Sequence, residues 1–269
     1  MQRNARWGRS ILILYVAAVL IFLMAPLLIV FPLSVSSATY LQFPPPGVSL
    51  QWFHRYFTSP SWTAATALSF AVAIATALSS LALGVPLAFY LVRARRGFIV
   101  VLLDRLATLP LVVPSIITAV AIYGLFAPLR LIGTWYGLVV AHTVLGLPFV
   151  VIVIAAALRN FDISLEQAAL GLGAARGRAI LHVTLPEIRA SLFTGAFFAF
   201  MASFDDLVLA LFLSGSNMTL PKKTFENVMF AIDPTIAAVS VLQIVFVTAI
   251  SVLWYAVGRG RARTFDRRR

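Results

Sequence analysis

The chain has 269 residues, 61% of them hydrophobic and only 11% charged, with a mean hydropathy of +0.97. Soluble domains carry about 25% charged residues, so an ordinary soluble fold is disfavoured, and the net charge of +12 points to a membrane protein with its charges in loops rather than to a nucleic-acid binder. The absence of cysteine excludes disulfides and thiolate metal sites, and the three histidines, His54, His142 and His182, form no metal-ligand motif.

Stretches free of Lys and Arg include 10–54, 56–92, 106–129, 131–158, 190–221 and 234–258. Each can hold the roughly 20 apolar residues that cross a bilayer core. They predict an all-α integral membrane protein with six transmembrane helices, near 11–34, 62–92, 106–128, 132–158, 190–213 and 235–257, in a single transmembrane domain over 1–269. The first run has a basic start in Arg3, Arg6 and Arg9 and a cleavage-like Ser36-Ser37-Ala38. Its apolar stretch from Ile11 to Leu33 is longer than a signal-peptide core of about 7–15 residues, so it reads as an uncleaved helix.

The segment after it, roughly 35–61, holds Pro44-Pro45-Pro46-Gly47 and then Trp52-Phe53-His54-Arg55-Tyr56-Phe57. Aromatic residues of this kind favour a lipid–water interface, which predicts a short surface helix. The segment 93–105 reads as a short basic turn. With the N-terminus inside, 17 of the 21 Lys and Arg residues fall on the inner side, leaving Arg55, Arg130, Lys222 and Lys223 outside. The positive-inside rule therefore places both termini in the cytoplasm.

The longest inside connection is 159–189. Ser164-Leu165-Glu166-Gln167 reads as a capping box, and Leu165, Ala168, Ala169 and Leu172 recur at helical spacing as an apolar stripe. Gly171 and Gly173 end that helix, and a second helical stretch from Arg176 to His182 is expected to stop at Pro186. The bland alternative is a solvated helical hairpin. The segment 167–186, Gln-Ala-Ala-Leu-Gly-Leu-Gly, nine residues and Val-Thr-Leu-Pro, resembles the EAA loop of bacterial ABC-importer permeases. That pattern is Glu-Ala-Ala, three residues, Gly, nine residues, Ile-x-Leu-Pro. Ala168, Ala169, Gly173, Leu185 and Pro186 match it, with Val183 for Ile. Gln167 occupies the Glu position, with Glu166 beside it.

The likeness extends over most of the chain. Gly84-Val85-Pro86 before an Arg-rich turn and Leu109-Pro110 at helix three resemble type I importer permeases. Phe204-Asp205-Asp206-Leu207-Val208 and Leu220-Pro221-Lys222-Lys223 most resemble the spermidine/putrescine branch. The resemblance implies a multi-pass permease of the bacterial inner membrane, translocating a small cationic amine by alternating access. It implies that Glu166, Gln167, Ala168, Ala169, Gly173, Leu185 and Pro186 couple the chain to an ATPase. The implied partners are a second homologous permease as a hetero-dimer, two copies of an ABC ATPase and a periplasmic substrate-binding protein, with no nucleic acid. The chain has no Gly-x4-Gly-Lys-Ser/Thr phosphate loop. No cofactor is therefore expected on it, and ATP and Mg²⁺ belong to the partner.

Asp205 and Asp206 fall in the middle of predicted helix five. A charge at the bilayer centre costs at least about 2.5–3.5 kcal/mol, so each carboxylate either draws a cationic substrate into a pathway or is a buried, hydrogen-bonded acid. Tyr123 and Gln243 are candidates to line the same cavity, and equally to bridge helices. Ser115 stands after Pro114 where some relatives carry an acid, which cuts against a polyamine. His142 reads as an interfacial residue at the start of helix four, and Asp233-Pro234 as a helix N-cap followed by proline at the first position. Related permeases carry opines, aminoethylphosphonate, thiamine and ferric ion. A stand-alone secondary transporter would need no loop at 159–189. An intramembrane hydrolase would need Ser203 or Ser214 to meet His142, and neither serine sits in a nucleophile motif.

Overall fold

The computed structural model describes the backbone of residues 2–95, 97–230 and 233–266, and the side chains of 12–95, 97–230 and 233–252. Arg96 and Arg267 to Arg269, used above for orientation, lie outside the described residues; Arg3, Arg6, Arg9 and the other arginines from 259 onward lie outside the described side chains. Among the described residues the structure is helical, with one isolated bridge between Ser36 and Val48 and no named strand.

Two compact units emerge, one formed by Met1–Thr63 with Glu226–Arg269 and the other by Ala64–Phe225. The first contains α1 (Gln2–Ser34), the short α2 (Gln51–Thr58) and α13 (Thr235–Asp266), and α13 packs on both α1 and α2. Leu12 to Ser34 is apolar and almost wholly exposed on this chain, as expected of a helix whose solvent is lipid. A short helix forms in the segment predicted to hold one, as α2. It is held by Trp52, whose indole N–H donates to the Ser36 carbonyl at 2.9 Å, and by Arg55, 3.3 Å from the Asp233 carboxylate. Asp233 also accepts the Thr235 N–H at 3.0 Å, so it caps α13 as its sequence context predicts.

The second unit is built on α3 (Pro60–Arg93), α4 (Phe98–Thr108), α5 (Ser115–Phe126), α6 (Trp135–Arg159), α7 (Ile163–Gly171), α8 (Arg176–Ala179), α9 (Leu185–Glu187), α10 (Arg189–Phe204), α11 (Val208–Leu213) and the start of α12 (Leu220–Phe230). Lipid gives helices no hydrophobic reason to associate, so close backbone approach through small residues must do it. Here a Cβ on Gly84 of α3 would lie 2.7 Å from a Val150 methyl of α6. A Cβ on Gly146 of α6 would lie 2.8 Å from the Ser80 hydroxyl and 3.2 Å from Ala199 of α10. Ala77, Ala88, Val150, Ile154 and Ala199 form one buried cluster around these contacts, and Val72, Ala119, Leu138, Ala141, Leu209 and Leu213 form another.

Among the described residues four helices are long and apolar enough to cross a bilayer: Leu12–Ser34, Pro60–Arg93, Trp135–Arg159 and Thr235–Val252. The third predicted span differs from a straight rod. Phe98–Leu111 and Ser115–Phe126 meet at 107°, because Pro114 cannot donate a helical hydrogen bond and keeps the preceding residue out of α geometry. The segment expected as a basic turn over 93–105 thus already contains the start of α4. The span predicted at 190–213 is also broken, into α10 and α11, with Asp205 to Leu207 between them. The helix predicted over 62–92 is α3, unbroken at Gly84-Val85-Pro86. It continues to Arg93 with Pro86 inside it, as helices packed in membranes tolerate.

Candidate functional site

Two clusters carry the polar residues of interest, both within the second unit. The first is the loop 159–189. Its helix α7 starts two residues earlier than the capping-box reading, with Asp162 as N-cap: the Asp162 carboxylate accepts the Ser164 N–H at 2.9 Å. Hydrogen bonding by the Ser164 side chain, followed by that of its N–H, holds the Asp162 carboxyl below its ordinary range, and an anionic cap also suits the helix dipole. Ser164 therefore sits inside the first turn rather than capping it.

At the other end, the Ala174 N–H donates to Ala169 O at 3.1 Å and the Gly173 N–H to Leu170 O at 2.9 Å. These are the two bonds of a Schellman motif. Gly173 has φ of +87°, which a side chain would strain. The spacing of a glycine after Ala168-Ala169 is thereby explained by helix termination. The second stretch passes through Pro186 instead of stopping before it: α8 widens into a π-turn over Ile180–Thr184 and resumes as α9. The wide turn precedes a proline that supplies no N–H and whose ring would crowd the carbonyl four residues back.

The loop presents two faces. Leu165, Gln167, Ala168 and Leu172 are exposed, Leu172 to 90%, and Ala169 is half-buried, so most of the predicted stripe is uncovered on this chain. Glu166 points the other way and is buried. It accepts two hydrogen bonds from the Arg93 guanidinium at 2.8 and 2.6 Å and one from the Thr184 hydroxyl at 2.6 Å. The Arg93 hydrogen bond holds the Glu166 carboxyl below its usual range, with Thr184 and the positive charges of Arg93 and Arg176 acting in the same direction and burial opposing them. Leu185 is half-buried and Pro186 exposed.

The second cluster surrounds the break between α10 and α11. Asp205 is the C-cap of α10 and is exposed; Asp206 is half-buried. The Asp206 carboxylate accepts the Leu209 N–H at 2.8 Å and so caps α11. It lies 3.9 Å from His142 Nε2. His142 is buried two turns inside α6, contrary to the interfacial position expected. Its Nδ1 is 2.7 Å from the Ser203 hydroxyl, which in turn is 3.4 Å from that of Thr76. Asp206 is thus the hydrogen-bonded acid of the pair, whereas no other described side chain bonds the Asp205 carboxylate.

Ser115 and Tyr123 are both exposed on α5, beside a groove of about 360 Å³ lined by Ile116, Ile117, Val120 and Ala121. Gln243 lies half-buried in α13 of the first unit. Among the described residues no group of three His, Cys, Asp or Glu side chains is placed to hold a metal. Sequence reasoning missed the Arg93–Glu166 pair, 73 residues apart along the chain, and raised a meeting of His142 with Ser203, 61 residues apart, only as the requirement of a hydrolase.

Residues 80–263 match the model of the family described as "Binding-protein-dependent transport system inner membrane component". The chain is 32% identical over 264 residues to the putrescine transport system permease protein PotI of Escherichia coli K12, covering 92% of each chain. It is 29% identical to the spermidine/putrescine transport system permease protein PotC of Haemophilus influenzae, covering 79% of this chain and 83% of that one. It is also 32% identical to the molybdenum transport system permease protein ModB of Mycobacterium tuberculosis, covering 77% and 84%. Among solved structures, a bacterial ABC transporter involved in the import of the acidic polysaccharide alginate superposes with a TM-score of 0.73, at 16% identity over 96% of this chain and 97% of that one, a likeness of fold. The chain therefore belongs to the family of binding-protein-dependent transport system inner membrane components, the membrane-spanning permease subunits of ABC importers.

Proposed function

We propose that this permease subunit passes a small cationic amine of the putrescine or spermidine class across the bacterial inner membrane, with both termini in the cytoplasm. The observation that carries the reading is Asp205, an exposed carboxylate at the break of an apolar helix, bonded by no other described side chain. An acid that faces lipid is costly, so an exposed one belongs on a water-filled pathway or against a partner, where it can meet an ammonium group. Similarity to putrescine and spermidine/putrescine permeases over most of the chain supports the same substrate class. Ser115 and Tyr123, exposed on α5, and Gln243 of α13 are further pathway candidates.

The loop 159–189 docks on an ABC ATPase through Gln167, Ala168 and the uncovered stripe with Leu165 and Leu172. Leu185 and Pro186 set the return into α10. ATP and Mg²⁺ bind the ATPase. Two ATPase copies need two docking loops, so a second, homologous permease completes the membrane part, and a periplasmic binding protein delivers the substrate.

The test is uptake of labelled putrescine by the complete transporter. Asp205→Asn is expected to reduce uptake at least tenfold, which corresponds to about 1.4 kcal/mol, and Asp205→Glu to restore part of it. Wild-type uptake by Asp205→Asn would refute the assignment of Asp205. A second reading, an oxyanion of molybdenum, is favoured by the similarity to the molybdenum permease. Uptake of putrescine abolished by excess molybdate, with molybdate itself transported, would select it.

A further inference from the structure

We infer that Glu166 is not a docking residue but a positioning residue: with Arg93 and Thr184 it forms a strut that ties the coupling loop to the end of α3, so that motion of the loop drives that helix. The inference rests on the docking role proposed for the loop. Three observations support it. Glu166 is only 6% exposed, whereas its neighbours Leu165 and Gln167 are exposed, so its carboxylate is out of reach of a partner lying on the stripe. The Arg93 guanidinium grips it through both nitrogens, Nη1 to Oε1 at 2.8 Å and Nη2 to Oε2 at 2.6 Å. A two-point grip of this kind fixes orientation as well as distance.

The third observation is that the same carboxylate also receives the fully buried Thr184 hydroxyl from the π-turn, at 2.6 Å. One side chain therefore joins α7, the return strand of the loop and the last residue of α3. Arg93 is itself fixed, with its guanidinium 4.7 Å from the centre of the Phe89 ring and its charge at the C-terminal end of α3, where the helix dipole favours a cation. A loop held only by its two chain connections, to α6 and α10, would move α3 by soft contacts. A doubly bonded ion pair whose carboxylate is buried transmits displacement without slack.

The experiment uses the complete transporter in proteoliposomes with its binding protein, reading substrate uptake per ATP hydrolysed and, separately, co-purification of the ATPase. Glu166→Gln and Arg93→Met are expected to keep the ATPase bound and to lower uptake per ATP at least tenfold. Thr184→Val, which removes one hydrogen bond and leaves the ion pair, is expected to lower it about threefold, and it carries the test should the other two fail to assemble. The chain has no cysteine of its own, so an Arg93→Cys/Glu166→Cys protein can be joined specifically. A short bismaleimide is expected to restore at least half of the lost ratio.

Wild-type ratios in Thr184→Val together with either ion-pair variant, or in Thr184→Val alone where those do not assemble, overturn the strut. Loss of the ATPase from Glu166→Gln with retention in Gln167→Ala makes Glu166 a docking contact and overturns it as well. Failure of the underlying reading is recognised separately: Gly173→Pro would then leave the ATPase bound.

Discussion

The contact between α3 and α6 offers the sharpest test of how the second unit is held together. In Gly84→Ala the new methyl would stand 2.7 Å from Val150 Cγ1, 3.0 Å from Val150 Cβ and 3.3 Å from Leu147 Cδ1. Carbon pairs rest at about 3.5–4.0 Å, so the helices must part or Val150 must turn. Val150 is fully buried and stiff at χ1, and its backbone lies 3.4 Å from where a Cβ on Gly195 of α10 would be. It has little room to retreat. Overpacking of this kind costs about 1–3 kcal/mol, and the better helix propensity of alanine returns up to about 1 kcal/mol. A net loss of about 1–2 kcal/mol is expected.

Val150→Ala alone removes two buried methyls and their packing contacts, a loss of about 0.5–3 kcal/mol. In the double variant the alanine methyl at 84 occupies the space that Cγ1 vacates, so the two losses should fall short of additivity by about 1 kcal/mol or more. The assay is thermal unfolding of the purified permease complex in detergent. For a chain of this size 1 kcal/mol corresponds to about 2–4 °C. Gly84→Ala melting at the wild-type temperature, or strict additivity in the double variant, would refute the packing argument.

Four further outcomes are expected. Gly173→Ala should destabilise α7 by about 1–2 kcal/mol because its φ is positive, whereas Gly171→Ala, with open space at its Cβ and no positive φ, should be neutral or slightly stabilising; protease sensitivity of the loop distinguishes them. Asp206→Ala should lower thermal stability by about 1 kcal/mol through loss of the α11 cap, an effect absent from Asp205→Ala. Lys222 is buried and donates to the Ser214 hydroxyl and the Gly215 carbonyl at 3.0 and 2.7 Å, so Lys222→Met should cost about 1–3 kcal/mol by melting temperature. The folded-state pKa of Glu166 is depressed. The strut therefore contributes its full stability above the ordinary glutamate range, near 4.3, and loses it only as the pH falls below that range through the depressed value. Loop protection against protease should be flat from neutral pH down to about 5 and fall below that range, and a loss centred near pH 7 would contradict the assignment.

What could be read from the sequence was what depends on near neighbours. Long apolar runs announced α1, α3, α6 and α13, because crossing a bilayer is a matter of length and composition within one segment. Asp233 and Gly173 were legible as helix ends for the same reason: a cap is made by residues two or three positions away, and a positive φ needs glycine at one known place. The bend at Pro114 was legible in principle, since proline and the residue before it both resist α geometry, but the apolar count over 106–128 overrode that signal. By contrast, Glu166 looks from the sequence like an ATPase-coupling residue beside Gln167, and nothing near it in the chain announces Arg93. His142, one residue in an apolar run, looked interfacial for the same reason. Its partner Ser203 is 61 residues away.

The acid pair shows how adjacent residues of one kind separate into two roles. In an unbroken helix neighbours differ by about 100° around the axis, and composition alone left Asp205 and Asp206 interchangeable. The break removes that symmetry. Asp205 closes α10 and its backbone N–H still bonds Met201, so its side chain is left outside. Asp206 opens the next turn, where free N–H groups draw a carboxylate inward, and the Leu209 N–H holds it there at 2.8 Å. Aspartate is a poor helix-interior residue and a good N-cap, so the sequence held the cause of the break in the very residues that were read as charges within a continuous span. The cost of an acid in the membrane is met for Asp206 by the capping bond. For Asp205 it is met by nothing in this chain's described side chains, and that imbalance, more than the mere presence of two acids, is what directs Asp205 toward a cation.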